Sequence, residues 1–154
     1  MSETAERRRF ARPAGPVTEL SAGQPACRLN VAVIYTSIDF TLSALRKAGA
    51  LAHSLNASIT LIVPQVVPYP LPLTCPPVPP GFNERSFRIL ADEGRIETTV
   101  RIYLCRDRKE LLRTALKPRS LVVIGGKDRW WPTPEKHLAD QLRHAGHEVV
   151  FVQP

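Results

Sequence analysis

The stretch from Leu121 to Leu142, LVVIGGKDRWWPTPEKHLADQL, sets an apolar run, a glycine pair, a basic turn and an amphipathic segment in a row. A parallel strand, a tight glycine turn and a helix N-terminus in that order aim free backbone N–H groups at an anion. The chemistry this suggests is phosphate binding around Gly125 and Gly126, with Lys127 and Arg129 as neighbouring cations. Order alone does not make a site, because the main chain must close on an oxyanion with no side chain in between. Here Gly126 is followed by Lys127, Asp128, Arg129, Trp130, Trp131 and Pro132, which are charged, bulky or rigid.

Other reactive groups are sparse. Ser37 and Cys105 lack a sequence-visible base and orienting partner, so hydrolysis is unsupported and no enzyme is expected. His144 and His147 lie three apart with Gly146 between them, and no carboxylate or cysteine completes a metal set. Cys27, Cys75 and Cys105 are odd in number, widely spaced and without a CxxC pair, which reads as reduced thiols of a cytoplasmic protein. Trp130 and Trp131 have three readings: stacking on a base, anchoring an interface, or lidding the end of a sheet.

The net charge of +7 is unevenly placed, since residues 101–136 carry ten Lys/Arg against four Asp/Glu. Few aromatics and no recognition-helix or RNP-like pattern accompany it, so a solvated basic face is expected and nucleic acid is not. There is no run of about 18 apolar residues, and no apolar core of signal-peptide length follows the first basic residues. Neither a membrane span nor secretion is expected.

The elements that would position these groups follow from periodicity. Residues 1–28 mix Ser, Glu, Arg, Pro and Gly, a composition that does not repay ordering, and are expected to be a flexible tail that includes Arg7, Arg8 and Arg9. LNVAVIYTS reads as a buried strand, and FTLSALRKAGALAHSL as a helix with Leu42, Leu45, Ala48, Ala52 and Leu55 on one stripe. Asn56 is placed to end it in a left-handed residue, and ITLIV restarts a strand. Residues 64–80 hold eight prolines in seventeen positions, so a loop over 64–81 is expected, either a stiff cover or an SH3-type ligand.

FNERSFRILADEG predicts a helix capped by Asn83 and closed by Gly94, with Phe87, Leu90 and Ala91 inward. Ile96, Thr98, Val100, Ile102 and Leu104 alternate, which predicts a strand exposed on its other face. Asp107 and Glu110 form a capping-box-like start for a helix that Pro118 stops. SLVVIGG reads as the most buried strand. Thr133 caps a last helix with Leu138, Leu142 and Ala145 inward, Gly146 ends it, and EVVFV closes the chain.

Strand and helix therefore alternate over residues 29–153, with five strands and four helices. This is an α/β fold: a doubly wound three-layer sandwich on a five-stranded parallel, Rossmann-like sheet. The crevice in such a fold lies beyond the carboxyl ends of the strands, where the winding reverses. The candidate ligand-binding residues there are Thr36, Ser37, Val63, Arg106, Gly125, Gly126, Lys127 and Arg129, with Tyr35 and Arg108 beside them. Two readings stand: four cations gathered on one rim to hold an anionic ligand or acidic partner, or charges at loop ends where water is.

The wording VAV, ALRKAGALAHSLNASITLIV, VRIYLCRDRKELLRTAL, LVVIGG and LRHAGHEVVFV resembles the universal stress protein family over residues 29–153. The resemblance implies a stress-response or regulatory domain that pairs as a homodimer through its last strand and contacts a protein partner. Family members that bind ATP carry an aspartate after the first strand and a spaced set of glycines, then serine or threonine, after the fourth. Here Thr36 stands at the first position, Gly125 matches the first glycine, Asp128 occupies the second, and the last falls near Glu135 and Lys136. A hydroxyl cannot replace a carboxylate as a charged acceptor, and Asp128 and Glu135 put negative charge where phosphates would lie. No cofactor is therefore expected, ATP included, and a nucleotide- or anion-binding sensor built on a remodelled basic loop is the alternative.

Overall fold

The computed structural model describes residues 18–20, 29–92 and 97–154. Its elements are β1 (Thr18–Leu20), β2 (Asn30–Ile34), α1 (Ile38–Leu55), β3 (Ser58–Val66), α2 (Pro80–Asp92), β4 (Thr98–Cys105), α3 (Arg108–Ala115), β5 (Leu121–Gly125), α4 (Pro134–His144) and β6 (Glu148–Val152). The strands lie in the order β1-β4-β3-β2-β5-β6. All neighbours from β4 to β6 are parallel, which gives the expected five-stranded parallel sheet.

One strand was not expected. Thr18–Leu20, read from composition as part of the tail, pairs antiparallel with Val100–Ile102 at the β4 edge. Val17 to Leu20 is a short apolar-polar-apolar run, and a sheet edge supplies the backbone partners that such a run cannot supply alone. Arg7, Arg8, Arg9, Cys27, Gly94 and Ile96 lie outside the described residues.

The helices cover both faces. On one side α1 and α2 pack with Val31, Val33, Ile59, Leu61, Val63, Val100 and Ile102. On the other, Leu111 and Leu112 of α3 and Leu138, Ala139 and Leu142 of α4 close over Ala32, Ile34, Ile62, Tyr103, Val122 and Ile124. Each fully buried Leu, Ile or Val contributes roughly 1.5–3 kcal/mol, so these two clusters supply most of the driving force.

Local signals explain the boundaries. Ser37 caps α1 through its side chain, and Asn56 at φ 51 ends it in the left-handed conformation as its sequence position predicts. Asp107 accepts from the Lys109 N–H at 2.8 Å to start α3, and Thr133 accepts from the Lys136 N–H at 3.3 Å to start α4. Gly146, at φ +93, follows the end of α4. Asn83 is not a cap: α2 begins earlier, at Pro80, whose fixed φ suits the first helical position. The inward stripe of α4 is Leu138, Ala139 and Leu142, and Ala145 is exposed beyond the helix end.

β3 runs through Pro64 to Val66, so the proline-rich loop starts later than the composition implies. Past Ile62 the strand has only β4 beside it, and a proline is tolerated where half the backbone donors face no ladder. The upper part of the outer face of β4 is covered as well: Tyr103 and Cys105 are buried, and Arg101 below them remains half-exposed.

Candidate functional site

The sheet winds in opposite directions from the β2–β5 pair, so the carboxyl ends of these two strands define the crevice. Thr36 and Gly125 meet there. The Thr36 hydroxyl donates to the Gly125 carbonyl at 3.0 Å, and the Thr36 N–H donates to Thr41 Oγ1 at 3.2 Å. Ser37, next in the chain, accepts from the Phe40 N–H at 3.4 Å and is occupied as the cap of α1.

The two glycines are spent on packing. A Cβ on Gly125 would lie 2.0 Å from the Phe40 carbonyl oxygen, and one on Gly126 would lie 2.7 Å from both Glu135 Cβ and Phe151 Cζ. The Gly126 N–H donates to the Val152 carbonyl at 2.9 Å, within the sheet. The pair thus lets α1 and α4 approach the strand end closely, which is a second use of glycine in strand–helix turns besides phosphate approach. Backbone committed in this way offers no N–H at Gly126 to an anion.

The turn beyond is closed on itself. Thr133 Oγ1 donates to the Lys127 carbonyl at 3.3 Å, and Lys136 Nζ pairs with Asp128 Oδ1 at 2.7 Å. Asp128, expected as a repelling charge, is thereby paired in place. Trp130 is 98% exposed and Trp131 60%, so neither lids the sheet end. Lys127 and Arg129 are exposed on the same turn.

The four cations do not form one rim. β3 and β2 separate β4 from β5, a span of about 14 Å at ~4.8 Å per strand. Arg106, at the β4 end, donates from Nη1 to the Val67 carbonyl at 2.8 Å and from Nη2 to the Leu71 carbonyl at 2.6 Å. Its guanidinium lies 4.2 Å from the centroid of the Tyr69 ring. Arg106 therefore staples the proline-rich loop to the sheet and is not a free anion ligand. Prolines remove donors but keep carbonyls, and a nearby arginine is the one signal that could have foretold this. Val63 is buried within β3, three residues before the strand ends, on the α1–α2 face, and contributes packing.

The remaining groups are similarly committed. Cys105 is buried, and burial pushes its thiol up, against a smaller opposing pull from Arg108. His147 Nδ1 accepts from the Ser120 N–H at 3.2 Å, and His144 Nδ1 lies 2.7 Å from the Asp140 carbonyl. Among the described residues no group of His, Cys, Asp and Glu is placed to hold a metal ion. No helix among them is long and apolar enough to cross a membrane.

Layers, strand order and winding define a doubly wound α/β domain. Among solved structures the chain is similar to the crystal structure of a protein from the universal stress protein family from Burkholderia pseudomallei, at 19% identity and a TM-score of 0.53. The alignment covers 84% of this chain and 98% of that one. No family model matches the chain, and no curated protein matches it. The fold is thus that of a universal stress protein, which the resemblance in sequence implied.

Proposed function

We propose that the chain is a universal stress protein-like regulatory domain of the cytoplasm that acts by pairing along β6 and contacting a protein partner. In this reading it turns over no substrate and holds no adenine nucleotide in the family's manner. The observation that carries it is the use of Gly125 and Gly126: Gly125 sits against α1, Gly126 against α4 and β6, and the Gly126 N–H is bonded within the sheet. The free thiols Cys75 and Cys105 accord with a reducing compartment.

Pairing is supported by the last strand. β6 is a sheet edge whose Val149, Val150, Phe151 and Val152 are half-buried. The Glu148 N–H donates to the Ser120 carbonyl and the Val152 carbonyl accepts from Gly126, so even-numbered residues face β5. Val149 and Phe151 therefore turn their backbone groups to the outer edge, where Arg143 Nη2 donates to the Val149 carbonyl at 3.4 Å and the two N–H groups and the Phe151 carbonyl are what a second strand would recognise.

Light scattering of the full chain tests the pairing. A two-copy mass is expected for the natural sequence and a one-copy mass for Val149→Pro, which removes an outward donor without touching the ladder to β5; a two-copy mass for both overturns edge pairing. For the nucleotide part, a panel of adenine nucleotides is expected to leave the melting temperature unchanged, because a ligand that binds only the native state must raise it. A rise with ATP that Lys127→Glu removes would favour the basic-loop sensor instead.

A further inference from the structure

The opposite end of the sheet holds an open cavity of about 460 Å³. It exists because α3 is short. Its eight residues span about 12 Å at ~1.5 Å each, whereas the eight of β4 span about 26 Å at ~3.3 Å each. The helix covers Tyr103 and Cys105 near the top of β4 and is capped by Leu116, so among the described residues no helix lies above the lower part of β2, β3 and β4 on that face. Leu55, in the last turn of α1, is 46% exposed and lines the same opening.

The lining is divided by chemistry. Ala32, Ile62, Tyr103 and Leu116 form an apolar floor, all buried and all on the α3–α4 face of the sheet. Asn30 and Thr60 stand beside it, joined by a hydrogen bond of 2.9 Å from Asn30 Nδ2 to Thr60 Oγ1. Among the described residues the charged lining groups are Arg101, Lys117 and Arg119 with one carboxylate, Glu148. Lys117 and Arg119 sit exposed on the α3–β5 turn, at the mouth.

Arg119 is held at φ 55. An L-residue with a long side chain is strained there, and glycine or asparagine would sit without strain. A cation is thus kept at the mouth in a backbone position that does not favour it, and such an outlier points from structure to function.

We propose that this cavity binds a small amphipathic anion, with an apolar ring or short acyl chain on the floor of Ala32, Ile62, Tyr103 and Leu116 and its acidic group at Lys117 and Arg119. The volume lies within the range of small-molecule sites, which are mostly apolar with a few convergent polar groups. The site lies away from the β5–α4 turn, and from β6 it takes only Glu148 at the strand's amino end.

The test titrates the full chain with 8-anilinonaphthalene-1-sulfonate, an aromatic body bearing one anion, and follows its fluorescence. Saturable binding is expected, weakened at least about tenfold in the Lys117→Glu/Arg119→Glu variant, as when a charge-assisted contact is lost. Octanoate is expected to displace the probe, and octanol at equal concentration is not. Arg119→Gly is expected to weaken probe binding while raising the melting temperature, a pairing that a damaged fold cannot give. Lys127→Glu/Arg129→Glu and Trp130→Ala/Trp131→Ala are expected to bind the probe as the natural chain does. No binding, equal binding by the Lys117/Arg119 variant, equal displacement by octanol, or loss of binding in the tryptophan variant would each overturn the proposal.

Discussion

At the carboxyl ends of β2 and β5 the space is filled: Gly125 packs against the Phe40 main chain, and Gly126 against the side chains of Phe151 and Glu135. At their amino ends the same two strands border a cavity with an apolar floor and a basic mouth. The winding of the sheet directs attention to the first end, but winding only says where helices diverge. Whether space remains there depends on how closely the helices approach, and here two glycines let them close it. At the other end an eight-residue helix runs out before its strand does, and space remains by default. Fold thus fixes where a crevice is possible, and side-chain size and helix length decide where it is realised.

The largest effect expected to sharpen this contrast is at Gly125. Gly125→Ala would push a methyl into the Phe40 carbonyl, which is backbone and cannot step aside, so a loss of about 3 kcal/mol or more is expected by urea denaturation. A loss below about 0.5 kcal/mol would mean that the upper end is loose and the contrast false.

Next is the staple between the β4 end and the proline-rich loop. Arg106→Ala removes two charge-assisted bonds and an aromatic contact from a half-exposed group, so about 1–2 kcal/mol is expected after discounting for solvent. Limited proteolysis is expected to cut near Tyr69 faster in the variant; an unchanged cleavage rate would show the loop held by something else. The lower end responds with the opposite sign, because Arg119→Gly relieves a left-handed backbone and is expected to stabilise by about 1 kcal/mol.

The smallest effect concerns Cys105. Burial raises its thiol above the ordinary range, so at a given pH less thiolate is present and alkylation is slow. In a Cys27→Ser background at pH 8, iodoacetamide is expected to label the exposed Cys75 and to spare Cys105 until the protein unfolds. The same shift gives a sign for stability: with the folded thiol raised, the unfolded chain loses its proton first as pH rises. Stability from this group therefore falls above the normal thiol range. Equal labelling of both thiols in the native state would show that the β4 end opens.

Most of this architecture was legible before any coordinates. Period and capping residues placed α1, α3 and α4, with Asn56, Asp107, Thr133 and Gly146 in the roles their types suggest. What escaped was set by tertiary partners. Thr18–Leu20 gains strand form only from Val100–Ile102, and Pro80 starts α2 ahead of Asn83 because a proline at the first helical position costs nothing. For the site, Thr36 and Gly125 meet at the strand ends, but sequence cannot say whether a glycine's missing side chain admits a phosphate or a neighbouring helix. Arg106 reads in the sequence as a candidate anion ligand, whereas its partners are the backbone carbonyls of Val67 and Leu71, whose positions depend on how the proline-rich loop folds back. The lower cavity leaves no motif at all, being the shortfall of one element against another.

The antiparallel strand β1 carries a consequence for assembly. It is three residues long and lies against the middle of β4, so it blunts that border of the sheet while offering little of its own to extend. Among the described residues the longer free border is β6, and in the proposed pairing two copies joined there across a two-fold axis would each use up what the other needs. In that pairing, growth would then stop at two copies.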